Sequence, residues 1–293
     1  LKEYLLSPDP AADTSGRFIS FPGTSITLFE PEVEITTIMF ICNITPEHPF
    51  LIRDGGRTEA PVLQTPDGKN EIETDAWPVT LLDGNGESIP VITGPGTKGM
   101  LRARCEKILR TLWEKACDPS ASSCEKAIED KLESLENNGP ASRTERKKII
   151  NDHSCMICRI FGNTYRRGRI SCADAEITDG EKKLLFSVPL NRFTSGPGNL
   201  FNRLPFLKGS FTLQLDAFGL SSEETTLLLL ALRDLDEEES MPLCFGGCRY
   251  HGYGRVNADE IKVIGNNAEP QTVANLLNDE DRQREWEKFL GPE

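Results

Sequence analysis

Gly94-Pro95-Gly96-Thr97-Lys98-Gly99-Met100-Leu101-Arg102-Ala103-Arg104-Cys105-Glu106-Lys107-Ile108-Leu109-Arg110-Thr111-Leu112 is the stretch from which the fold is read. Leu101, Cys105, Ile108 and Leu112 recur at i, i+4, i+7 and i+11, which is one face of a helix, while Lys98, Arg102, Arg104, Lys107 and Arg110 decorate the remainder. The spacing predicts an amphipathic, basic helix over residues 98–116, entered through a glycine-proline-glycine turn.

Working upstream, Val33, Ile35, Thr37, Met39 and Ile41 alternate with Glu34, Thr36, Ile38 and Phe40, which predicts a mostly buried strand. Between strand and helix, residues 45–93 carry six prolines and the Asp-Gly pairs 54–55, 67–68 and 83–84, a turn-rich excursion long enough to suggest a functional loop. Residues 1–31, rich in Pro, Ser, Gly and Asp, read as an arm or linker.

Working downstream, residues 117–158 form a charged insertion with a helical piece over 125–135, a Gly139-Pro140 break and a basic stretch from Arg143. Strands are expected at 169–178 and 184–190, then an irregular segment over 191–205, then a strand in which Phe211, Leu213 and Leu215 alternate. Ser221-Ser222-Glu223-Glu224 is a capping-box pattern opening a helix to about residue 235, a last strand spans 252–265, and residues 268–293 read as a charged helical tail. With the insertions set aside the order is β, α, β, β, α, β. That order predicts an α+β, ferredoxin-like domain over 32–267, an antiparallel sheet with two helices on one face.

The chain has 293 residues, 38% hydrophobic and 27% charged, with a net charge of −13. The longest apolar run, residues 227–232, is far short of a membrane span. Asp9, Asp13 and two prolines near the start do not make a secretory signal, so the nine cysteines are expected to be cytosolic thiols, some of them metal ligands. Leu1 in place of methionine suggests a segment of a longer polypeptide.

Four constellations could carry chemistry. Glycines before the helix would let its amides approach a phosphate, with Lys98 and Arg102 one turn apart. The spacing is not that of a P-loop. Cys117, Cys124, Cys155 and Cys158 bracket an insertion too poor in apolar residues to fold alone, which suggests structural zinc; His153 is a rival to Cys124. Gly246-Gly247-Cys248-Arg249-Tyr250-His251-Gly252-Tyr253-Gly254-Arg255 interleaves glycine with aromatic and basic residues, as contact with a sugar-phosphate chain requires. Asp75, in Thr74-Asp75-Ala76-Trp77-Pro78-Val79, has nothing local to distinguish it.

Together these segments resemble the RAMP superfamily of CRISPR-associated proteins, and in particular the backbone palm-and-thumb subunits or domains of type III effector complexes. The turn and helix 94–102 stand where that family shows Gly-Ser-Ser-Leu-Lys-Gly-x-x-Arg. Cys155-Met156-Ile157-Cys158-Arg159-Ile160-Phe161-Gly162 with Gly168-Arg169-Ile170, Leu190-Asn191-Arg192-Phe193-Thr194-Ser195-Gly196, and the run from Gly246 to Val256 follow in the family's order. Asn191 stands where the family has aspartate, and Gly-Pro-Gly-Thr replaces its serines. The cysteine insertion is similar to those of multi-domain or single-chain effectors.

The resemblance implies a cytoplasmic, prokaryotic ribonucleoprotein of antiviral defence, working with other RAMP-type subunits. CRISPR RNA (crRNA) would be held by Gly94, Gly96, Thr97, Lys98, Arg102, Arg166, Arg167, Gly247, Tyr250, His251 and Gly252, while a thumb over 184–208, with Asn191, Arg192 and Phe193, intrudes between guide and target. It also implies an endoribonuclease, a hydrolase cutting complementary target RNA at Asp75 with Mg or Mn, Pro78-Val79 and Asp83 following in the family's order. A non-catalytic backbone subunit and a guide-maturing ribonuclease using His251 are the alternatives.

Charge then reads differently. Residues 94–110 hold five basic residues and one acidic, and residues 159–208 nine basic and four acidic, so the basic excess lies in the segments assigned to RNA and the rest of the chain is strongly acidic. A basic face on an acidic body is expected.

Overall fold

The computed structural model describes residues 19–21, 24–26, 35–44, 48–55, 59–64, 71–113, 116–117, 124–137, 142–236, 243–259, 261–265 and 269–290. The chain divides into two units, residues 1–33 and 34–293. Within the first, Ile19–Phe21 and Thr24–Ile26 pair as a short antiparallel ribbon. The remainder of the arm expected over 1–31 lies outside the described residues.

The second unit is built on one antiparallel sheet. Its central strands are β1 (Ile35–Ile44) and, far along the chain, a thirteen-residue strand (Phe206–Phe218), paired over ten residues from Gly209↔Ile44 to Phe218↔Ile35. In the long strand Phe211, Leu213, Leu215 and Ala217 are buried and Thr212, Gln214 and Asp216 are not, the period-2 alternation of a sheet with one covered face. Chain order supplies the other elements: β2 (Thr80–Leu82), β3 (Ser88–Ile92), α1 (Gly94–Trp113), α2 (Cys124–Glu136), α3 (Arg143–Asp152), α4 (Met156–Phe161), β4 (Ile170–Cys172), β5 (Ala175–Glu176), β6 (Thr178–Lys182), the long strand as β7, α5 (Ser222–Asp236), β8 (Asn257–Ala258), β9 (Lys262–Ile264), β10 (Gln271–Thr272), α6 (Val273–Leu277) and α7 (Glu280–Leu290).

The sheet runs β4-β7-β1-β9-β10, with β6 also on β7 and β8 also on β1. With the two principal helices α1 and α5 after β1 and β7, this is the ferredoxin-like βαββαβ arrangement expected from the element order. Leu101, Cys105 and Leu109 of α1 and Leu228, Leu229 and Leu232 of α5 bury against Ile38, Leu213 and Leu215. Burying a large aliphatic side chain contributes about 1.5–3 kcal/mol, so this layer dominates stability.

Three expectations are corrected. Helix α1 begins at Gly94, so Gly94-Pro95-Gly96 forms its first turn; proline costs little there because the first N–H groups of a helix have no partner within it. Its buried stripe is Leu101, Cys105 and Leu109, while Leu112 is exposed. In β1 the buried face carries Ile38, whereas Met39 and Ile41, read as part of a mostly buried strand, are 37% and 43% exposed on the face the helices leave open.

The segment read as irregular, 191–205, contains a strand, Phe201–Arg203, paired with Leu185–Ser187. The capping box of α5 forms as expected: Ser221 Oγ accepts from the Glu224 amide at 3.3 Å and Glu224 Oε2 accepts from the Ser221 amide at 3.0 Å. Residues 271–290 form β10, α6 and α7, and Val273, Leu276, Leu277 and Trp286 pack on the core. Among the described residues no helix is long and apolar enough to cross a membrane.

Candidate functional site

Two of the four sequence constellations, the Asp75 loop and the glycine-rich run, meet the thumb beside the sheet. The chain from Pro49 to Asp54 is the strip that joins them. On one side the Gly254 amide donates to Pro49 O and the Gly247 amide to Leu51 O; on the other the Val79 amide donates to Ile52 O and the Asp54 amide to Trp77 O. Phe50 anchors the strip, with ring centroids 5.4 Å from Phe211 and 6.3 Å from Phe245. Leu51, Ala76 and Tyr253, with Leu185 and Cys248 at their edge, make a second small core that clips the Asp75 loop, the glycine-rich run and the thumb together. Burial pushes the Tyr253 phenol up, opposed by the Arg203 guanidinium beside it.

Asp75 itself is exposed. Its amide donates to Asn202 Oδ1 and its Oδ2 accepts from the Asn202 amide, both at 2.8 Å, while Asn202 Nδ2 donates to Glu73 O at 2.9 Å. Asp83 is elsewhere occupied: it closes the turn between β2 and β3, accepting from the Asn85 and Glu87 amides, and the latter bond chiefly holds its carboxyl below the usual range.

The thumb is the ribbon 185–187/201–203 with its connecting loop. Asn191 Oδ1 accepts from the amides of Phe193 and Thr194 at 2.8 and 3.1 Å, a role that needs only an acceptor and that asparagine fills as well as aspartate would. That turn leaves Phe193 93% exposed, with Arg192 exposed beside it. In the glycine-rich run Tyr250 is fully exposed, and His251 and Gly252 are exposed with it. The run doubles back tightly: Gly254 has φ +88°, and a Cβ there would lie 2.0 Å from Phe245 O.

The α1 end is built differently from the expected anion cradle. The Gly94 amide donates to Asp174 Oδ1 at 2.6 Å, so a carboxylate of the chain already sits at the helix start. Gly94 is also pressed against Cys172 O, where a Cβ would lie 2.0 Å away. Thr97 is buried, and Lys98 Nζ donates to Ile170 O at 2.9 Å. Arg102 is engaged within the protein, its Nε on Glu106 at 2.9 Å and its Nη1 on Gly162 O at 2.8 Å. Gly96 and Arg167 are exposed, and Arg166 Nη1 donates to Asn151 Oδ1 at 2.7 Å.

Cys117, Cys124, Cys155 and Cys158 bring their four sulfurs within 4.8 Å of one another, and His153 lies outside that set. Cys117 and Cys158 Sγ are 3.4 Å apart. Four thiolates around zinc at about 2.3 Å would stand about 3.8 Å apart, so the residues fit a tetrahedral metal ion such as zinc. The thiols are ill suited to be left alone. Burial pushes Cys124 up to about 11, while hydrogen bonding from Cys158 holds Cys155 down at about 4. The Cys155 amide donates to Cys124 Sγ at 3.2 Å and Arg110 Nη2 to Cys117 O at 2.9 Å, contacts of the kind that orient metal ligands.

The sequence does not single out Asn202 or Asp174, and shows Tyr253 only as one aromatic residue of the glycine-rich run. Asn202 is a polar residue in the strand Phe201–Arg203, only 7% exposed, a contrast that the sequence alone does not display.

The chain is thus an α+β protein whose antiparallel sheet leaves one face open, with basic and aromatic side chains exposed beside it. The RAMP superfamily model matches residues 44–257, most of the chain, and the protein belongs to that superfamily of CRISPR-associated proteins, whose members bind CRISPR RNA and work with other subunits. None of the curated proteins matches it.

Proposed function

We propose that this chain is a crRNA-binding backbone subunit or domain of a type III CRISPR effector, and that it cuts complementary target RNA at Asp75. The observation that carries the reading is the bond pair joining Asp75 to the thumb residue Asn202, because it ties the candidate catalytic loop to the element that would separate guide from target. Exposed Arg192, Phe193, Arg167, Tyr250 and His251 supply cations and stacking surfaces for the RNA, whose sequence is read by base pairing. Lys98 and Arg102 shape this surface from beneath as much as they add charge to it. The cysteine centre holds structural zinc and fastens the 117–158 insertion to the palm.

At the cleavage site Asp75 offers one carboxylate. That suits Mg or Mn, whose remaining positions would be filled by phosphate oxygens and water, and the ion would stabilise charge on the displaced oxygen. Asp75 orients the 2′-hydroxyl or its proton from a loop held rigid by Asn202 and Ala76. In the assembled effector, Asp75→Ala is expected to lower target cleavage by at least about a hundredfold while guide binding is retained. Unchanged cleavage removes Asp75 from catalysis.

One observation favours a non-catalytic backbone: Asp75 Oδ2 is already an acceptor for the Asn202 amide, which is a structural use of the carboxylate. Under that reading Asp75→Ala lowers thermal stability and leaves target RNA intact in variant and parent alike.

A further inference from the structure

A cavity of about 330 Å³ lies between the start of α5, the strands β9 and β10, and the C-terminal helices. Leu228, Leu229, Val263 and Leu276 give it an apolar floor, and Thr36, Ser222, Thr225 and Gln271 a polar side. Among the described residues the cation in its lining is Arg282 of α7, a half-buried side chain of which two nitrogens, Nε and Nη1, are enclosed with no hydrogen-bond partner. A guanidinium cannot shed its proton, so enclosing two of its nitrogens without acceptors is unfavourable until an anion reaches them. Other arginines near α5 are not left so: Arg159 and Arg169 share Glu224, and Arg104 pairs with Asp234. Glu269, the one carboxylate among the described residues of the lining, is exposed and satisfies neither nitrogen. The Arg282 amide donates to Asp279 Oδ1 at 2.9 Å, which fixes the first turn of α7 at the cavity.

We infer that this cavity binds a small aliphatic carboxylate, with its charge on Arg282 and its stem on the leucine-valine floor. The volume is at the lower end of small-molecule sites, which run from about 300 to 1,000 Å³. An apolar floor with one uncompensated cation selects an amphipathic anion over a free phosphate, which would leave the floor empty. The cavity shares no residue with the Asp75 and thumb surface, so the inference stands independently of the proposed RNA function.

The test is a titration of the full chain with hexanoate, with hexanamide as the uncharged isostere and inorganic phosphate as the anion without a stem. Melting temperature and the methyl resonances of Leu228, Leu229 and Val263 are followed. Hexanoate is expected to shift those methyls saturably and raise the melting temperature, hexanamide to do neither, and phosphate to bind more weakly. Arg282→Gln should weaken hexanoate by about 30-fold or more, the usual effect of removing one member of a buried charge pair. Glu269→Gln should tighten it by removing a negative charge that repels the ligand's, and Arg282→Met should leave the ligand-free melting temperature unchanged or higher. Failure of hexanoate to bind both the parent and Glu269→Gln overturns the inference. So does equal binding of hexanamide or phosphate. An equal loss of stability in Arg282→Met and Glu269→Gln also overturns it, since that marks an internal ion pair.

Discussion

Asp75 and Asn202 are bonded reciprocally through main chain and side chain, the amide of each donating to the side-chain oxygen of the other at 2.8 Å. Asn202→Ala removes the acceptor for Asp75 and the donor to Glu73 O, and is expected to destabilise the protein by about 1–3 kcal/mol in denaturant unfolding. Asn202→Asp keeps the acceptor but sets a second carboxylate beside the first, and the two like charges repel. If Asp75 cuts RNA, the pH profile of cleavage in that variant moves to higher pH; an unmoved profile separates the carboxylate from the reaction.

The cysteine centre predicts one bound metal ion per chain by elemental analysis of purified protein. Cys158→Ser should lose that ion and open residues 124–152 to protease, since structural zinc contributes on the order of 10 kcal/mol to small sites and the insertion has little apolar surface besides Ile128 and Leu132. Metal retained at full occupancy by that variant argues against four-cysteine ligation.

Gly254→Ala should be among the most destabilising single-methyl changes in the chain. The new Cβ would meet Phe245 O, a main-chain atom in the middle of the Phe50–Phe211–Phe245 cluster, at a φ that disfavours side chains. A melting temperature within about 2 °C of the parent would contradict the tight return of the glycine-rich run.

Glu224→Gln should cost about 3–5 kcal/mol, because the carboxylate is buried between Arg159 and Arg169 and also closes the capping box of α5. Urea unfolding measures it. A change below about 1 kcal/mol would mean that the two guanidinium groups find other acceptors.

The alternation of Phe211, Leu213 and Leu215 and the Ser221-x-x-Glu224 cap were legible because each is local and each has one physical cause. With them the element order, and so the sheet, could be read. The burial of β1 could not: Ile38, Met39, Phe40 and Ile41 are all apolar, so a period of two does not choose a face. Nor could the start of α1, since glycine and proline ordinarily mark the end of regular structure. The four cysteines were legible as a set; their closeness depends on α1, α2 and α4 together. Asp174 at the start of α1 and Asn202 under Asp75 act over 80 and 127 positions of sequence, and no local pattern announces such partners.

The strand order carries a consequence for biosynthesis. β1 lies between β7 and the pair β8 and β9, all of which follow it by more than 160 residues. A nascent chain that has passed β1 therefore holds an unpaired strand with no sheet to join until Phe206–Phe218 has left the ribosome. Loop closure over such a separation is slow, and the exposed strand edge is a template for mispairing in the interval. Assembly of the palm is expected to be a late, all-at-once event near the end of translation of this segment.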